Sequence, residues 1–279
     1  MEISTLEHTP LHAITDVLNH SFSDYIVPLK LTEEQLRFKM TAEDIRTDLS
    51  YGVFSSGRLV GFMLHGLRES VSGLTAYNAA TGVIPEFRGK GLTAGMYAEL
   101  EPKLRRLGVK HMVLEVIATN TSAIKAYEKE GYTKHRTLDC YAGTVKPDDE
   151  ATELTVKELS LPEWQHLDVQ QTVRPSWQNE SLSIMNIAER CRILGAFNAG
   201  KPVGYVVYQP ATGKLHQLCV ITEHRRKGVA KQLLHAVCDK ENRELHLYNA
   251  DREAHGIKPF LEHMGLVCDL TQFEMRKEL

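Results

Sequence analysis

The chain has 279 residues, a net charge of −3, and 42% hydrophobic against 25% charged residues. That length fits roughly two domains of about 150 residues, each long enough to bury a core, and the composition is ordinary for a soluble globular protein. No long block of like charge is present, which removes electrostatic binding to nucleic acid or to an anionic membrane from consideration. The opening M-E-I-S-T-L-E-H carries acids where a signal peptide needs a basic segment ahead of an apolar run. The longest apolar stretches, such as Val203 to Tyr208, are strand-sized and far below the ~20 residues of a membrane helix. Cys140, Cys191, Cys219, Cys238 and Cys268 are scattered and form no C-x-x-C, so they read as reduced thiols of a cytoplasmic protein. The thirteen histidines form neither H-E-x-x-H nor a tight Cys/His cluster, and no metal site is expected.

Taken in order, Glu2 to Leu6 reads as a short strand. Pro10 to Phe22 reads as a helix, with Leu11, Ile14, Val17, Leu18 and Phe22 at helical spacing. The link Ser23 to Leu31 holds Tyr25 and Pro28. Thr32 then precedes E-E-Q-L, an N-cap followed by acids, and predicts a helix to about Ala42. Y-G-V-F, the turn Ser55-Ser56-Gly57 and R-L-V-G-F-M-L-H-G-L form a hairpin. Leu74 to Ile84 is the next strand, and its Ala79-Ala80-Thr81-Gly82 stretch is small enough for a ligand or another segment to reach the backbone. A helix follows with Leu92, Met96, Leu100, Leu104 and Leu107 on one stripe, stopped by Gly108 and expected to kink at Pro102. His111 to Ile117 is a buried strand, Asn120 to Glu130 a helix ended by Gly131, and Tyr132 to Tyr141 supplies the last strands of a first domain over 1–145.

Val145 to Ala151 is a linker by composition, and a second domain over 152–279 repeats the plan with less material. Leu154 to Leu159 is a strand, Pro162 to Val173 a helix, and Ser181 to Glu189 a second helix. Arg192 to Phe197, the turn Asn198-Ala199-Gly200 and Pro202 to Tyr208 form a hairpin. Lys214 to Ile221 is a strand, followed by a glycine turn, a helix to about Asp239 and the strand Glu244 to Tyr248.

The two halves share one stretch. Val83 to Thr93 is V-I-P-E-F-R-G-K-G-L-T, and 137 residues later Val220 to Ala230 is V-I-T-E-H-R-R-K-G-V-A, with six of the first nine positions identical. A strand end, a turn exposing successive N–H groups and a helix N-terminus together make an anion site, because the first helical amides lack intrahelical acceptors. Gly89 and Gly91 let a polyanion approach the backbone, and Arg88 and Lys90 add positive charge. The P-loop pattern is not met: Ile84 stands at its first glycine and Gly91 at its Ser/Thr. The dinucleotide fingerprint is met only loosely, with Ala94 after Gly89 and Gly91, and a preceding hairpin does not fit a βαβ unit. For R-G-K-G alone, a turn that needs glycine only for its shape is the plainer alternative.

The frame V-x-P-x-x-R-G-x-G resembles motif A of the GNAT superfamily of N-acetyltransferases, [QR]-x-x-G-x-[GA]. Arg88, Gly91 and Thr93 occupy its slots, the last as a departure. The second copy keeps all three slots with Arg225, Gly228 and Ala230, but Arg226 replaces Gly89, a change expected to crowd a phosphate. N-T-S-A-I-K-A-Y-E-K-E-G-Y, from Asn120 to Tyr132, is similar to the family's motif B. The resemblance covers nearly all of 1–145 and, more weakly, 152–279. It implies an α/β (α+β) chain of two tandem GNAT-like acyl-CoA N-acyltransferase domains, each a mixed central sheet flanked by helices. It further implies a transferase that moves an acetyl group from acetyl-CoA to a primary amine of a small molecule or peptide by direct attack, in the N-terminal domain and without a metal.

The same resemblance assigns roles. The backbone at Thr81, Gly82 and Val83 would bind the pantetheine arm, and Arg88, Gly89, Lys90, Gly91, Leu92 and Thr93 would cradle the pyrophosphate. Asn120 would hold the thioester end while capping its helix. Tyr127 stands in the slot whose tyrosine protonates the departing thiolate, and a phenol of pKa ~10 suits that task; it also lies on the apolar stripe with Ala123 and Ile124, a packing position. The Val83 amide would meet the oxyanion. The base stays open: Leu74 to Val83 contains no carboxylate, leaving Glu115 or a water held by Tyr77 or Asn78. Phe22, Tyr25, Tyr51 and Tyr141 lie on the elements that wall the acceptor in such folds, where packing is the alternative use of each. In the second domain Leu261 occupies the tyrosine slot, and the preceding N-A-D-R-E-A-H-G-I-K-P is longer than motif B and carries Pro259. That domain is expected to do little chemistry and to shape the acceptor site or replace a dimer partner. The chain would then be a monomer built as an intramolecular pseudo-dimer, or a homodimer. The rival expectation is a non-catalytic CoA-binding or scaffolding protein.

Overall fold

A computed structural model describes the chain except residues 71, 147–153, 168, 170–172, 241–243 and 255, and the side chains of 239 and 240. Most of the predicted linker, and part of the helix expected over Pro162 to Val173, lie outside the described residues. The chain forms two compact units, Met1–His135 with Phe273–Leu279, and Arg136–Gln272.

The first unit runs β1 (Glu2–Thr5), α1 (Leu11–Ser21), α2 (Glu33–Ala42), β2 (Ile45–Ser55), β3 (Arg58–Ser70), β4 (Gly73–Val83), α3 (Leu92–Arg106), β5 (His111–Ile117), α4 (Thr121–Lys129) and the start of β6 (Thr133–Thr144). Local chemistry sets these limits. Thr32 Oγ1 accepts from the Gln35 amide at 3.2 Å and Gln35 Oε1 accepts from the Thr32 amide at 2.8 Å, a capping box that starts α2. Pro102 lies inside α3 without ending it. Strands β1 to β5 lie in sequence order, antiparallel but for β4 and β5, which are parallel.

The decisive register is that of β4. It stays paired with β3 from Ser70↔Gly73 to Gly61↔Val83, with Ala79 bulged between the pairs His65↔Asn78 and Leu64↔Ala80. Its parallel ladder with β5 begins at Thr75↔His111 and ends at Asn78↔Leu114. Beyond that pair the ladder to β5 ends, while β4 stays paired with β3 through Val83.

The second unit runs from the rest of β6 through β7 (Thr155–Glu158), α5 (Leu161–Gln165), α6 (Ser181–Asn186), β8 (Arg192–Asn198), β9 (Lys201–Gln209), β10 (Lys214–Val220), α7 (Val229–Lys240), β11 (Glu244–Asp251), α8 (Ile257–Met264) and most of β12 (Leu266–Glu278). Its strand order is β12-β6-β11-β10-β9-β8-β7. The parallel ladder of β10 and β11 also stops early, at Leu215↔Leu247, and His216 is the bulged residue beside it. Both features recur at the offset of the sequence repeat.

Three expectations change in detail. Tyr132 to Tyr141 forms one strand rather than several, because Tyr132 precedes it and the rest is continuous through Thr144. The helix expected from Pro162 ends at Gln165, and the one from Ser181 ends at Asn186. The first unit's sheet is completed from the far end of the sequence: Phe273 and Met275 share one face of β12 and join the first unit's apolar core with Leu279, which follows the strand, and Met275 is fully buried. The Leu279 amide donates to the Lys110 carbonyl at 3.0 Å. The compact units therefore divide β6 and β12 rather than separating between 145 and 152. Among the described residues no helix is long and apolar enough to cross a membrane.

Met275→Ala should destabilise the first unit by about 2–5 kcal/mol, the cost of emptying a core methionine site. Hydrogen exchange would show lost protection in β4 and β5 while β8 and β9 stay unchanged.

Candidate active site

β4 passes through a 3₁₀ turn at Pro85–Phe87 into α3. The Ile84 amide donates to the Val60 carbonyl at 3.0 Å. Antiparallel strands alternate the direction of their amides, so the Val83 and Thr81 N–H groups point to the edge that β5 has left. Gly89 and Gly91 sit at φ 74° and 69°, and a Cβ added at either would meet nothing within 4 Å. Conformation rather than crowding requires glycine there, and the concave side of the turn is open. Gly91 is the N-cap of the 15-residue α3, no side chain caps it, and no acid lies in the first turn. The positive end of the helix thus faces this open turn.

Arg88 does not supply free charge to it, contrary to the sequence expectation. Its Nη1 and Nη2 each donate to the Asp24 carboxylate at 2.7 Å, Nη2 also donates to the Ser21 carbonyl at 2.9 Å, and Nε donates to the Val83 carbonyl at 3.1 Å. The guanidinium hydrogen bonds hold the Asp24 carboxyl below its ordinary range. Arg88 is a brace between the end of α1 and the end of β4. Gly82 serves the same junction: a Cβ there would come within 2.7 Å of Ser21 Cβ and 2.8 Å of the Phe62 ring. Lys90 reaches the Glu86 carbonyl at 3.3 Å and lies 4.5 Å from the centre of the Phe87 ring.

Where β4 leaves β5, several predicted residues meet. Asn120 caps α4, its Oδ1 accepting from the Ala123 amide at 3.1 Å and the Ser122 hydroxyl at 2.9 Å. Its Nδ2 donates to the Tyr25 hydroxyl at 3.2 Å, and the Tyr25 ring stands edge-on to Phe22 at 5.0 Å. Tyr127, on the same helix, packs its ring against the first core. Desolvation pushes its phenol up to about 12, eased by the polar Thr81 side chain and raised further by Tyr25. Phe22, Tyr25, Thr81, Asn120 and Tyr127 therefore come together. Tyr51 does not join them: it lies in the first core, with Glu99 and Arg106 of α3 among its nearest charges. Tyr141 is buried in the core of the second unit. Both are packing residues, the alternative the sequence left open.

The parallel register Tyr77↔Val113 puts Tyr77, Val113 and Glu115 on one face. The Tyr77 hydroxyl donates to the Glu115 carboxylate. Burial pushes the Glu115 carboxyl up to about 7; Tyr77 and Lys39 oppose the rise, while Glu274 and Glu43 add to it. Glu115 stands one residue past the last β4–β5 pair, so a carboxyl that titrates near neutrality lies where the strands part. Asn78 projects to the opposite face, where its Nδ2 donates to Tyr97 at 3.0 Å. Of the three candidates the sequence left open, two are thus partners and the third belongs elsewhere. The sequence signal for Glu115 was its parity with His111 and Val113, against the buried Met112, Leu114 and Val116.

The acetyltransferase (GNAT) family model matches residues 12–132 and 154–258. The chain belongs to that family. An N-acetyltransferase from Sphaerobacter thermophilus is similar in structure, with 18% identity over 99% of this chain and 95% of that one and a TM-score of 0.75. A tandem GNAT protein from the clavulanic acid biosynthesis pathway shares 15% identity over 99% of this chain and 98% of its own, at a TM-score of 0.74. A putative acetyltransferase from Pyrococcus horikoshii shares 14% identity over 100% and 89%, at 0.68. These likenesses are of fold, that of two GNAT units in one chain. No curated protein matches the chain by sequence.

The second GNAT unit keeps the turn but not the gap. Ile221 repeats the Ile84 backbone, with φ −60° and ψ 146° against −61° and 148°. Arg225 Nε donates to the Val220 carbonyl at 3.1 Å, as Arg88 does to Val83. Arg226 stands in for Gly89 at φ 62°, a left-handed conformation that costs a side-chain-bearing residue roughly 1–2 kcal/mol. Between β10 and β11, Asn179 Nδ2 donates to the Tyr248 carbonyl at 2.7 Å, and Gln217 Nε2 donates to the Asn179 carbonyl at 2.7 Å. Asn179 and Gln217 are buried. A segment of the unit's own chain therefore bridges the parted strands. On α8, Leu261 is fully buried, and Pro259 sits in the first turn, where a missing N–H leaves no helical acceptor unpaired.

Because the folded-state pKa of Glu115 lies above its ordinary 4.5, its contribution to stability is complete below about 4.5 and is lost as pH rises through about 7. Glu115→Gln should gain stability relative to the parent across that window, read from urea midpoints at pH 4.5, 6 and 8. Midpoints that move in parallel at all three would contradict the assigned titration.

Proposed function

We propose that the first unit transfers an acetyl group from acetyl-CoA to the amine of a small molecule or peptide by direct attack. The observation that carries this reading is the parting of β4 and β5 beside an open glycine turn, with Tyr127 and Glu115 placed at the divergence. The residues present suit acetyl-CoA as cosubstrate. The Thr81 and Val83 N–H groups face the vacated edge and would pair with the pantetheine arm. The amides of residues 88–93 and the uncapped start of α3 would meet the pyrophosphate, with Lys90 as a nearby cation.

Chemistry would follow from what these side chains do with protons. Glu115, titrating near neutrality, takes the proton of the attacking amine. The amine nitrogen bonds to the acetyl carbon, and the Val83 N–H donates to the oxygen as it becomes anionic. The C–S bond breaks with its electron pair on sulfur, and Tyr127 gives that sulfur a proton. Phe22 and Tyr25 wall the acceptor side. The bridged strands of the second unit support placing the transfer in the first, and the five free cysteines support a cytoplasmic protein.

Tyr127→Phe should lower kcat for CoA release at least roughly 100-fold while acetyl-CoA affinity stays nearly constant; equal turnover would remove Tyr127 as the acid. Arg225→Glu should leave acetyl-CoA affinity within about twofold, since a surface change away from the site has little effect on it. A large loss would move cosubstrate binding to the second unit. A panel of amines, aminated antibiotics and peptides, scored by CoA release, identifies the acceptor.

A further inference from the structure

The link between α1 and α2, residues 22–32, is held at three points. Asn19 closes it: its Nδ2 donates to the Leu31 carbonyl and its Oδ1 accepts from the Leu31 amide, both at 2.8 Å. Asp24 ties it to Arg88 of the glycine turn, and the Tyr25 hydroxyl accepts from Asn120 Nδ2 at the start of α4. Pro28 fixes its own φ and keeps Val27 extended. A link stitched in this way has little conformational freedom left to lose.

Between the fixed points at Tyr25 and Leu31 the link turns apolar side chains to solvent. Ile26 is 53% exposed, Val27 44% and Leu29 37%. Eight large apolar side chains are exposed among the described residues, and three of them fall within these four positions. Singly such residues need no explanation, but a contiguous set marks a surface that something covers. The patch adjoins the site along the chain: at no more than about 3.6 Å per residue, Leu29 lies within about 14 Å of the Tyr25 Cα. Three side chains are too few to hold a second copy, since each partner of a stable dimer buries about 800 Å². Lys30 is the one charge between Tyr25 and Leu31, which suits neither an anionic membrane nor nucleic acid.

We propose that the amine acceptor carries an apolar arm, an alkyl or aryl group that lies on Ile26, Val27 and Leu29 while its amino group enters where β4 and β5 part. The inference rests on the first unit being the transferase. Tyr25 belongs to both surfaces: its hydroxyl meets Asn120 at the site, and its backbone runs directly into Ile26. Covering the patch with the arm removes apolar area of both partners from water, and the stitched link gives up almost no entropy in receiving it. Ile26, Val27 and Leu29 are specificity residues: they act on which amine is taken and not on bond making. A small polar amine gains nothing from this rim.

Primary n-alkylamines from ethylamine to octylamine, scored by CoA release from the full chain, test this. The value of kcat/KM should rise roughly two- to fourfold with each added methylene, the factor expected of partial to full burial of that group. In the double variant Ile26→Ser, Leu29→Ser the octylamine-to-ethylamine ratio should fall at least roughly tenfold. Leu107→Ser, which alters an exposed leucine just past α3, should keep the ratio. Release that is equal across the series, or confined to polar amines, would overturn the proposal and leave the acetyl transfer standing. So would an unchanged ratio in the double variant. Sedimentation that finds the parent a dimer and the double variant a monomer would assign the patch to a second copy and overturn it too. No CoA release with any amine would instead overturn the transferase reading, and this inference with it. Circular dichroism checks each fold, and Val27→Ser alone gives the same reading should the double variant not fold.

Discussion

The parallel ladder between β4 and β5 is short, and the rest of the first unit depends on where it stops. Four pairs hold the strands together through Asn78↔Leu114. The Ala79 bulge then turns β4, and the strand continues on β3 alone. An unpaired row of amides inside a domain is costly unless something accepts from it. Here the row faces a space flanked by the start of α3, the start of α4 and the link after α1. The cleft is thus made by withholding strand partners, and every group assigned to the reaction sits beside that edge or across from it.

Bracing the mouth is the second requirement. Arg88 looks in sequence like a charge for phosphate, yet in the structure it closes the α1–β4 junction through Asp24, Ser21 and Val83. Arg225 repeats the bond to the last strand carbonyl. The arginine recurs in both units because it shapes the turn. The units differ in what fills the gap. In the first, side chains gather at its rim; in the second, Asn179 and Gln217 lie across it.

Much of this was legible in the sequence. The strand–turn–helix unit, its repeat at a fixed offset, the Asn120 cap and the apolar stripe of α4 follow from local rules, and Thr32 announced α2 as an N-cap followed by acids. What was not legible depends on contacts distant in sequence. Phe273, Met275 and Leu279 alternate like any strand, and nothing local assigns them to the first core. Glu115 reads as an awkward acid in a buried strand until the register with Tyr77 shows its face. Tyr51 and Tyr141 look like Tyr25 in composition, and only packing separates the wall of a site from the interior of a core. Asp24 gave no sign of pairing with a residue 64 positions away.

The central claim is that the open edge of β4 and the glycine turn after it hold acetyl-CoA, and that the corresponding stretch of the second unit does not. Hydrogen-exchange mass spectrometry of the full chain with and without acetyl-CoA measures both at once. Protection gained over residues 79–83 and 89–93, with residues 217–230 unchanged, is the predicted result. Protection over 217–230, or none over 79–93 at saturating acetyl-CoA, would contradict it.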